Sequence, residues 1–195
     1  MATERNAVDP VADNVVRQFA RAAMLAALMG ASVVVSIPIP LSPAPITLQV
    51  LFVFLAGLVL GPVWGPISVL LYLVTGGAGA PVFAGMNGGM GVLIGQTAGY
   101  LWSYPVVAAL IGLIVHRGTA LRDLRRVRLP ILVGALLVGT VVIYAMGTAY
   151  MAWLLEMAAW EAITAGALPF IPGELLKVAA AVAIVRSGQI TPVRS

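Results

Sequence analysis

Residues 22 to 116 contain no Asp, Glu, Lys or Arg. About a quarter of the residues in a water-soluble domain are charged. A chain without any over nearly half its length has too little surface to offer water. It must fold in lipid. The whole chain agrees: of 195 residues, 61% are hydrophobic and 9% charged, with a mean hydropathy of +1.04. The expectation is an all-α integral membrane protein. A spanning helix takes about 20 residues. Five or six spans therefore occupy roughly 100–120 of them, which leaves short loops and no room for a separate soluble catalytic domain. Lys and Arg number 11 against 7 Asp and Glu. That excess needs no nucleic acid to explain it if the cations anchor topology. With no Cys in the chain, disulfides, thiolate metal sites and Cys nucleophiles are excluded.

Pro and Gly mark where the apolar stretch breaks. The pattern predicts a polar lead-in over 1–16 and a first span over Arg17–Ile37. That run is too long for a signal peptide and is followed by further spans. Four prolines between Pro38 and Pro45 forbid helix there. Thr47–Leu60 and Trp64–Gly76 read as second and third spans, divided by a tight Gly61-Pro62 turn. Both are short, which predicts flanking loops that dip into the membrane and line a cavity. Gly76–Gly91 reads as loop, Val92–Val115 as a fourth span and His116–Arg128 as a basic connection. Pro130–Trp153 is the fifth span and Leu154–Ala167 a connector. Leu168–Arg186 is the sixth, with a tail over 187–195.

With the N-terminus inside, the connections at 38–46, 77–91 and 154–167 fall outside, and none contains Lys or Arg. Arg5, Arg17, Arg21, Arg117, Arg122, Arg125, Arg126, Arg128, Arg186 and Arg194 all fall inside, as the positive-inside bias demands. The expectation is therefore a multi-pass cell-membrane protein with both termini cytoplasmic and irregular extracellular loops over a substrate pocket. Lys177 is the exception.

Lys177 and Glu174 form the one charged pair within an expected span. Three residues apart, they share a helix face. Pro172 and Gly173 before them suit a helix start, where the dipole favours Glu174 and offers Lys177 nothing. Ionisable groups inside membranes are usually functional, although a structural ion pair or a lysine reaching the interface explains the spacing equally well. Thr47, Gln49, Asn87, Gln96, Thr97, Tyr100, Tyr104, Tyr150, Trp153 and Trp160 lie toward the same side. Interface aromatics and a plain turn asparagine account for many of them singly. As a set they offer neutral donors, acceptors and flat faces to a small amphipathic molecule.

The first span carries two ridges of small residues: Ala22, Ala26 and Gly30, and Ala23, Ala27 and Ala31. Either allows close helix approach, within the bundle or against another membrane subunit. A lone His116 beside the basic connection does not make a metal site. No GxxxxGK[ST] loop is present to bind ATP, no carboxylate chain to relay protons, and no repeated charged rings to form a channel. Neither a cofactor nor a catalytic residue is expected.

Five segments occur in order: Pro45-Ile-Thr-Leu-Gln49, Leu55-Ala-Gly-Leu-Val-Leu-Gly-Pro62, Gly79-Ala-Pro-Val-Phe-Ala-Gly85, Gly99-Tyr-Leu101 and Leu168-Pro-Phe-Ile-Pro-Gly-Glu-Leu-Leu-Lys177. Together, from about Arg17 to Arg186, the chain closely resembles the BioY family, the biotin-binding S components of energy-coupling factor transporters. The resemblance implies a six-helix fold, capture of biotin from outside, and work with a transmembrane coupling subunit and two cytoplasmic ATPase subunits. The family's acid and lysine before the last helix correspond to Glu174 and Lys177. The chain departs in two places. The acid is usually Asp, and Gln96-Thr-Ala-Gly-Tyr100 stands where many members have Pro-Thr-Gly-Gly-Tyr. Gln49, Asn87, Thr47, Tyr100 and Trp153 are expected to complete the site, and Ala22/Ala26 or Ala23/Ala27 to dock the coupling subunit. The alternative is a self-sufficient secondary transporter driven by an ion gradient. Uptake that fails on ATP depletion but resists uncouplers would exclude it. No inverted repeat, a common mark of secondary transporters, is evident.

Overall fold

A computed structural model describes residues 10–39, 42 and 45–188. Positions 1–9 of the expected lead-in with Arg5, Pro40 and Pro43 of the proline-rich connection, and 189–195 of the tail with Arg194 lie outside the described residues. The described chain is helical, apart from one two-residue ladder and the connecting loops. Its six principal helices match the expected class, with several boundaries moved.

Helix α1 spans Pro10–Ala31 and runs into a 3-10 turn at Ser32–Val34. Pro10 opens it where a missing N–H costs nothing. The expected Arg17–Ile37 span is therefore corrected at both ends. Its last residues, Ser36–Ile37 (β1), pair antiparallel with Ile46–Thr47 (β2), Ser36 opposite Thr47. Val35 leaves the 3-10 turn in extended backbone, which its β-branch and the approach to Pro38 favour. The ladder closes the neck of the proline-rich loop.

Next comes α2, Gln49–Leu55, continued as a π-helical turn at Ala56–Leu60, and then α3, Gly61–Gly77. These form one helical run along the chain but not one rod. Gly61 has φ +77°, a conformation that disfavours any residue with a Cβ, and the chain reverses there. Gly65 consequently lies against Ala56, and Tyr72 lies opposite Gln49. The expected Gly61-Pro62 turn is present.

The glycine-rich segment forms a tight turn, with Phe83 and Asn87 exchanging backbone hydrogen bonds of 2.9 and 3.2 Å. A short helix α4, Met90–Ile94, follows. The fourth long helix, α5, starts only at Ala98 and ends at His116, so the expected Val92 start is corrected. Gly95 turns the chain out of α4. The freed carbonyls of Leu93 and Ile94 then accept from the Trp102 indole (2.9 Å) and the Tyr150 hydroxyl (3.1 Å). Helix α6 spans Leu129–Leu154. The expected 154–167 connector holds a helix of its own, α7 at Ala159–Gly166, whose start is fixed by the Glu161 carboxylate accepting from the Ala158 N–H at 3.2 Å. A 3-10 turn at Leu168–Phe170 leads into α8, Ile171–Ser187.

Helix α5 sits between α3 and α6, α1 packs on α3, and α2 bridges α5 and α8. Val74, Leu113, Val141 and Leu176 point outward and are exposed, as a lipid-facing surface requires. Among the described residues, four helical runs are long and apolar enough to cross a membrane: Gln49–Gly77, Ala98–His116, Leu129–Leu154 and Ala159–Ser187. The first is the hairpin. The bundle thus has a basic end, with the 117–128 connection and Arg186, and an opposite end whose irregular loops carry no Lys or Arg among the described residues.

Candidate functional site

A cavity of about 330 Å³ opens at the end opposite the basic connection. Its walls come from the start of α2, the 83–87 turn, the first turns of α5, the middle of α6 and the first turns of α8. On one side the Thr47 hydroxyl donates to Gln49 Oε1 at 2.8 Å, while the Gln49 amide donates to the Tyr72 hydroxyl. Tyr72 comes from the returning arm of the hairpin. The Gly61 reversal therefore fixes the orientation of a buried amide at the other end of the helix pair.

Opposite stand Glu174 and Lys177, 2% and 6% exposed. The Lys177 ammonium donates to Glu174 Oε1 at 2.6 Å, and the Tyr144 hydroxyl from α6 donates to the same oxygen at 2.9 Å. Glu174 Oε2 is buried without a hydrogen-bond partner among the described residues. Withdrawing a carboxylate oxygen from water without a donor is costly. Glu174 and Lys177 thus set a hydrogen-bonded carboxylate–ammonium pair in the cavity wall, with the second carboxylate oxygen enclosed by protein.

Aromatic rings cover the remaining wall. Tyr144 sits between Tyr100 (5.9 Å between centroids, planes at 74°) and Phe170 (6.0 Å, 34°). The Tyr100 hydroxyl donates to the Gly166 carbonyl at 3.0 Å, tying α5 to the end of α7. Its ring lies flat against Gly147, where any side chain would overlap it. Arranged in this way, the cavity can enclose a flat apolar body and pair donors and acceptors at its edges.

Of the residues expected at a site, Thr47, Gln49, Asn87, Tyr100, Glu174 and Lys177 all line this cavity, as do Gln96, Thr97 and Tyr104. Asn87 also serves its turn, donating to the Ala84 carbonyl at 2.9 Å. Trp153 does not line it, and its expected place there is corrected. It is 72% exposed and packs on Tyr150, because the face of α6 that carries Tyr144, Thr148 and Met151 points inward and position 153 points away. Trp160 is exposed as well. The Ala22/Ala26 ridge is also corrected. Ala22 is 0% exposed, its carbonyl accepts from the Ser68 hydroxyl at 2.7 Å, and Ala26 belongs to the core. Ala27 and Ala31 stay exposed and Ala23 half-buried.

Tyr144, Phe170 and Tyr72 were not singled out from the sequence. The available signal for Tyr144 was a polar stripe at Thr140, Tyr144 and Thr148, four residues apart along an otherwise apolar helix.

The BioY family model matches residues 3–192. The chain belongs to the BioY family. A probable biotin transporter BioY of Pyrococcus horikoshii is 39% identical over 154 residues, 78% of this chain and 85% of that one. The biotin transporter BioY of Thermotoga maritima is 34% identical over 168 residues, 86% of this chain and 93% of that one. The fold is similar to the 2.1 Å crystal structure of the S-component for biotin from an ECF-type ABC transporter. The TM-score is 0.78 at 27% identity, covering 91% of this chain and 93% of that one. BioY relatives are thus transport proteins, and the match to a solved S component extends over nearly the whole helical bundle.

Proposed function

We propose that this chain captures biotin from outside the cell and delivers it through an ATP-driven energy-coupling module. The observation that carries this reading is the buried Glu174–Lys177 pair in the wall of the cavity, with Lys177 and Tyr144 both donating to one carboxylate oxygen. Biotin is an apolar bicycle with two ureido N–H donors, a ureido oxygen and a tail carboxylate. The Glu174 carboxylate can accept from a ureido N–H, and Lys177 can donate to the ureido oxygen or the tail. Gln49 and Asn87 supply further polar partners, and Tyr100 and Tyr144 cover the ring faces. The family and its relatives' names support the same ligand. Binding of labelled biotin to the purified protein, competed by unlabelled biotin but not by unrelated vitamins, tests the reading. Lack of saturable binding refutes it.

The basic end faces the cytoplasm in this reading, so both termini are cytoplasmic and the cavity opens outward. The chain has no ATP-binding loop of its own, so hydrolysis falls to two cytoplasmic ATPase subunits acting through a transmembrane coupling subunit. The small ridge of half-buried Ala23 with exposed Ala27 and Ala31 is the face of α1 that allows close approach by that partner.

A further inference from the structure

We infer that the Tyr104 hydroxyl reads the ligand by donating to a carbonyl oxygen on its ring body. This rests on the biotin reading above and deepens it. Thr97, Tyr100, Leu101 and Tyr104 all line the cavity, so one face of α5 forms its wall at a spacing of three and four residues. Tyr104 is the last of them, six residues past the Ala98 start of the helix and about 9 Å farther along its axis. The residue is 6% exposed. The neighbouring tyrosine hydroxyls are engaged: Tyr100 donates to the Gly166 carbonyl, Tyr144 donates to Glu174, and Tyr72 accepts from Gln49. The Tyr104 hydroxyl has no hydrogen-bond partner among the described residues. It is not sealed in protein either. Gln18 Oε1 and Glu174 Oε2 are the described side-chain atoms that are both enclosed and unpartnered. The Tyr104 oxygen is not one of them, so it keeps an accessible face, and the space the residue borders is the cavity.

A hydroxyl taken out of water without a partner costs free energy. A ligand that accepts from it recovers that cost on binding. Glu174 and the tyrosines at 72, 100 and 144 lie near enough to act on Tyr104 electrostatically, yet none of them accepts its proton. The proton therefore turns to the ligand. Val50, Phe83, Leu101 and Ile143 supply apolar lining to the same cavity, which suits a bicycle with its carbonyl rather than a charged tail. A carbonyl oxygen has two lone pairs, so Tyr104 and Lys177 can share it. The ligand class is cyclic ureas and cyclic amides. Their thiocarbonyl counterparts, whose sulfur is a weaker acceptor, are disfavoured.

The test compares biotin with 2-thiobiotin, in which sulfur replaces the ureido oxygen. Dissociation constants are measured on the purified full-length protein and on Tyr104→Phe, together with thermal unfolding with and without biotin. Tyr104→Phe should weaken biotin about fivefold and 2-thiobiotin by less than about twofold, because the lost hydrogen bond matters only where a good acceptor meets it. The free variant should unfold no lower than the free parent, since no protein contact is lost. Its rise in midpoint on adding biotin should be smaller. Unchanged biotin affinity in Tyr104→Phe overturns the inference, and so does an equal loss for both ligands. A free variant that unfolds lower than the free parent also overturns it, because the hydroxyl then serves the fold. A parent that fails to bind biotin refutes the ligand reading itself, a separate result.

Discussion

His116 Nε2 lies 2.8 Å from the carbonyl oxygen of Leu58. Leu58 belongs to the π-helical turn at the foot of the hairpin, where backbone carbonyls lose their regular helical partners. The backbone N–H of Arg122 donates to His116 Nδ1 at 3.0 Å. Because Nδ1 accepts, the ring proton sits on Nε2 and donates to Leu58. The 2%-exposed imidazole therefore fastens the basic connection to the base of the α2–α3 hairpin. His116→Ala leaves the buried Leu58 carbonyl and the Arg122 N–H without their partner and should cost about 1–3 kcal/mol. Unfolding in detergent should begin several degrees lower, about 2–4 °C per kcal/mol for a chain of this size. Biotin affinity at the opposite end should stay within about twofold, and an unshifted midpoint would show that the clamp carries no load.

The two ridges on α1 differ in burial. Ala26 is inside the bundle and Ala27 outside it. Ala27→Trp should abolish co-purification with the coupling subunit while leaving biotin binding nearly unchanged. Ala26→Trp should lower the yield of folded protein whether or not the partner is present. If Ala27→Trp keeps the full complex, the coupling subunit docks on another face.

Topology can be read directly, because the chain has no cysteine. Single cysteines at Met86 and Glu161, both exposed at the end opposite the basic connection, should react with an impermeant thiol reagent on intact cells. One at Thr119, exposed in the basic connection, should react only after the membrane is opened. Labelling at position 119 in sealed cells would reverse the proposed orientation.

Much of this architecture is written in the sequence because lipid allows few solutions. An uncharged stretch has to become helices, and Gly61-Pro62 has to be a turn. The Glu174/Lys177 spacing places both groups on one face of α8. What the sequence withheld depends on phase and on contacts across helices. Trp153 is an aromatic at the correct depth, yet α6 turns it outward. Ala22 and Ala23 are adjacent and chemically identical, and only the packing of α1 on α3 decides which is buried. The helix of the 154–167 connector was missed because a segment of eight helical residues is too short to show a decisive period. Tyr144 was hidden for another reason: its significance lies entirely in an oxygen 30 positions along the chain.

The most direct measurement is equilibrium binding of labelled biotin to the purified protein and to Glu174→Ala, Lys177→Ala and Arg186→Ala. Charge-assisted hydrogen bonds are roughly twice as strong as neutral ones, so the buried pair should dominate the polar part of the affinity. Glu174→Ala and Lys177→Ala should each weaken binding at least about tenfold, near 1.4 kcal/mol. Arg186 donates to the Val127 carbonyl at the basic end, and its removal should leave the affinity of the folded protein unchanged. Folded Glu174→Ala and Lys177→Ala proteins that bind biotin as tightly as the parent would contradict the placement and leave the pair a structural ion pair.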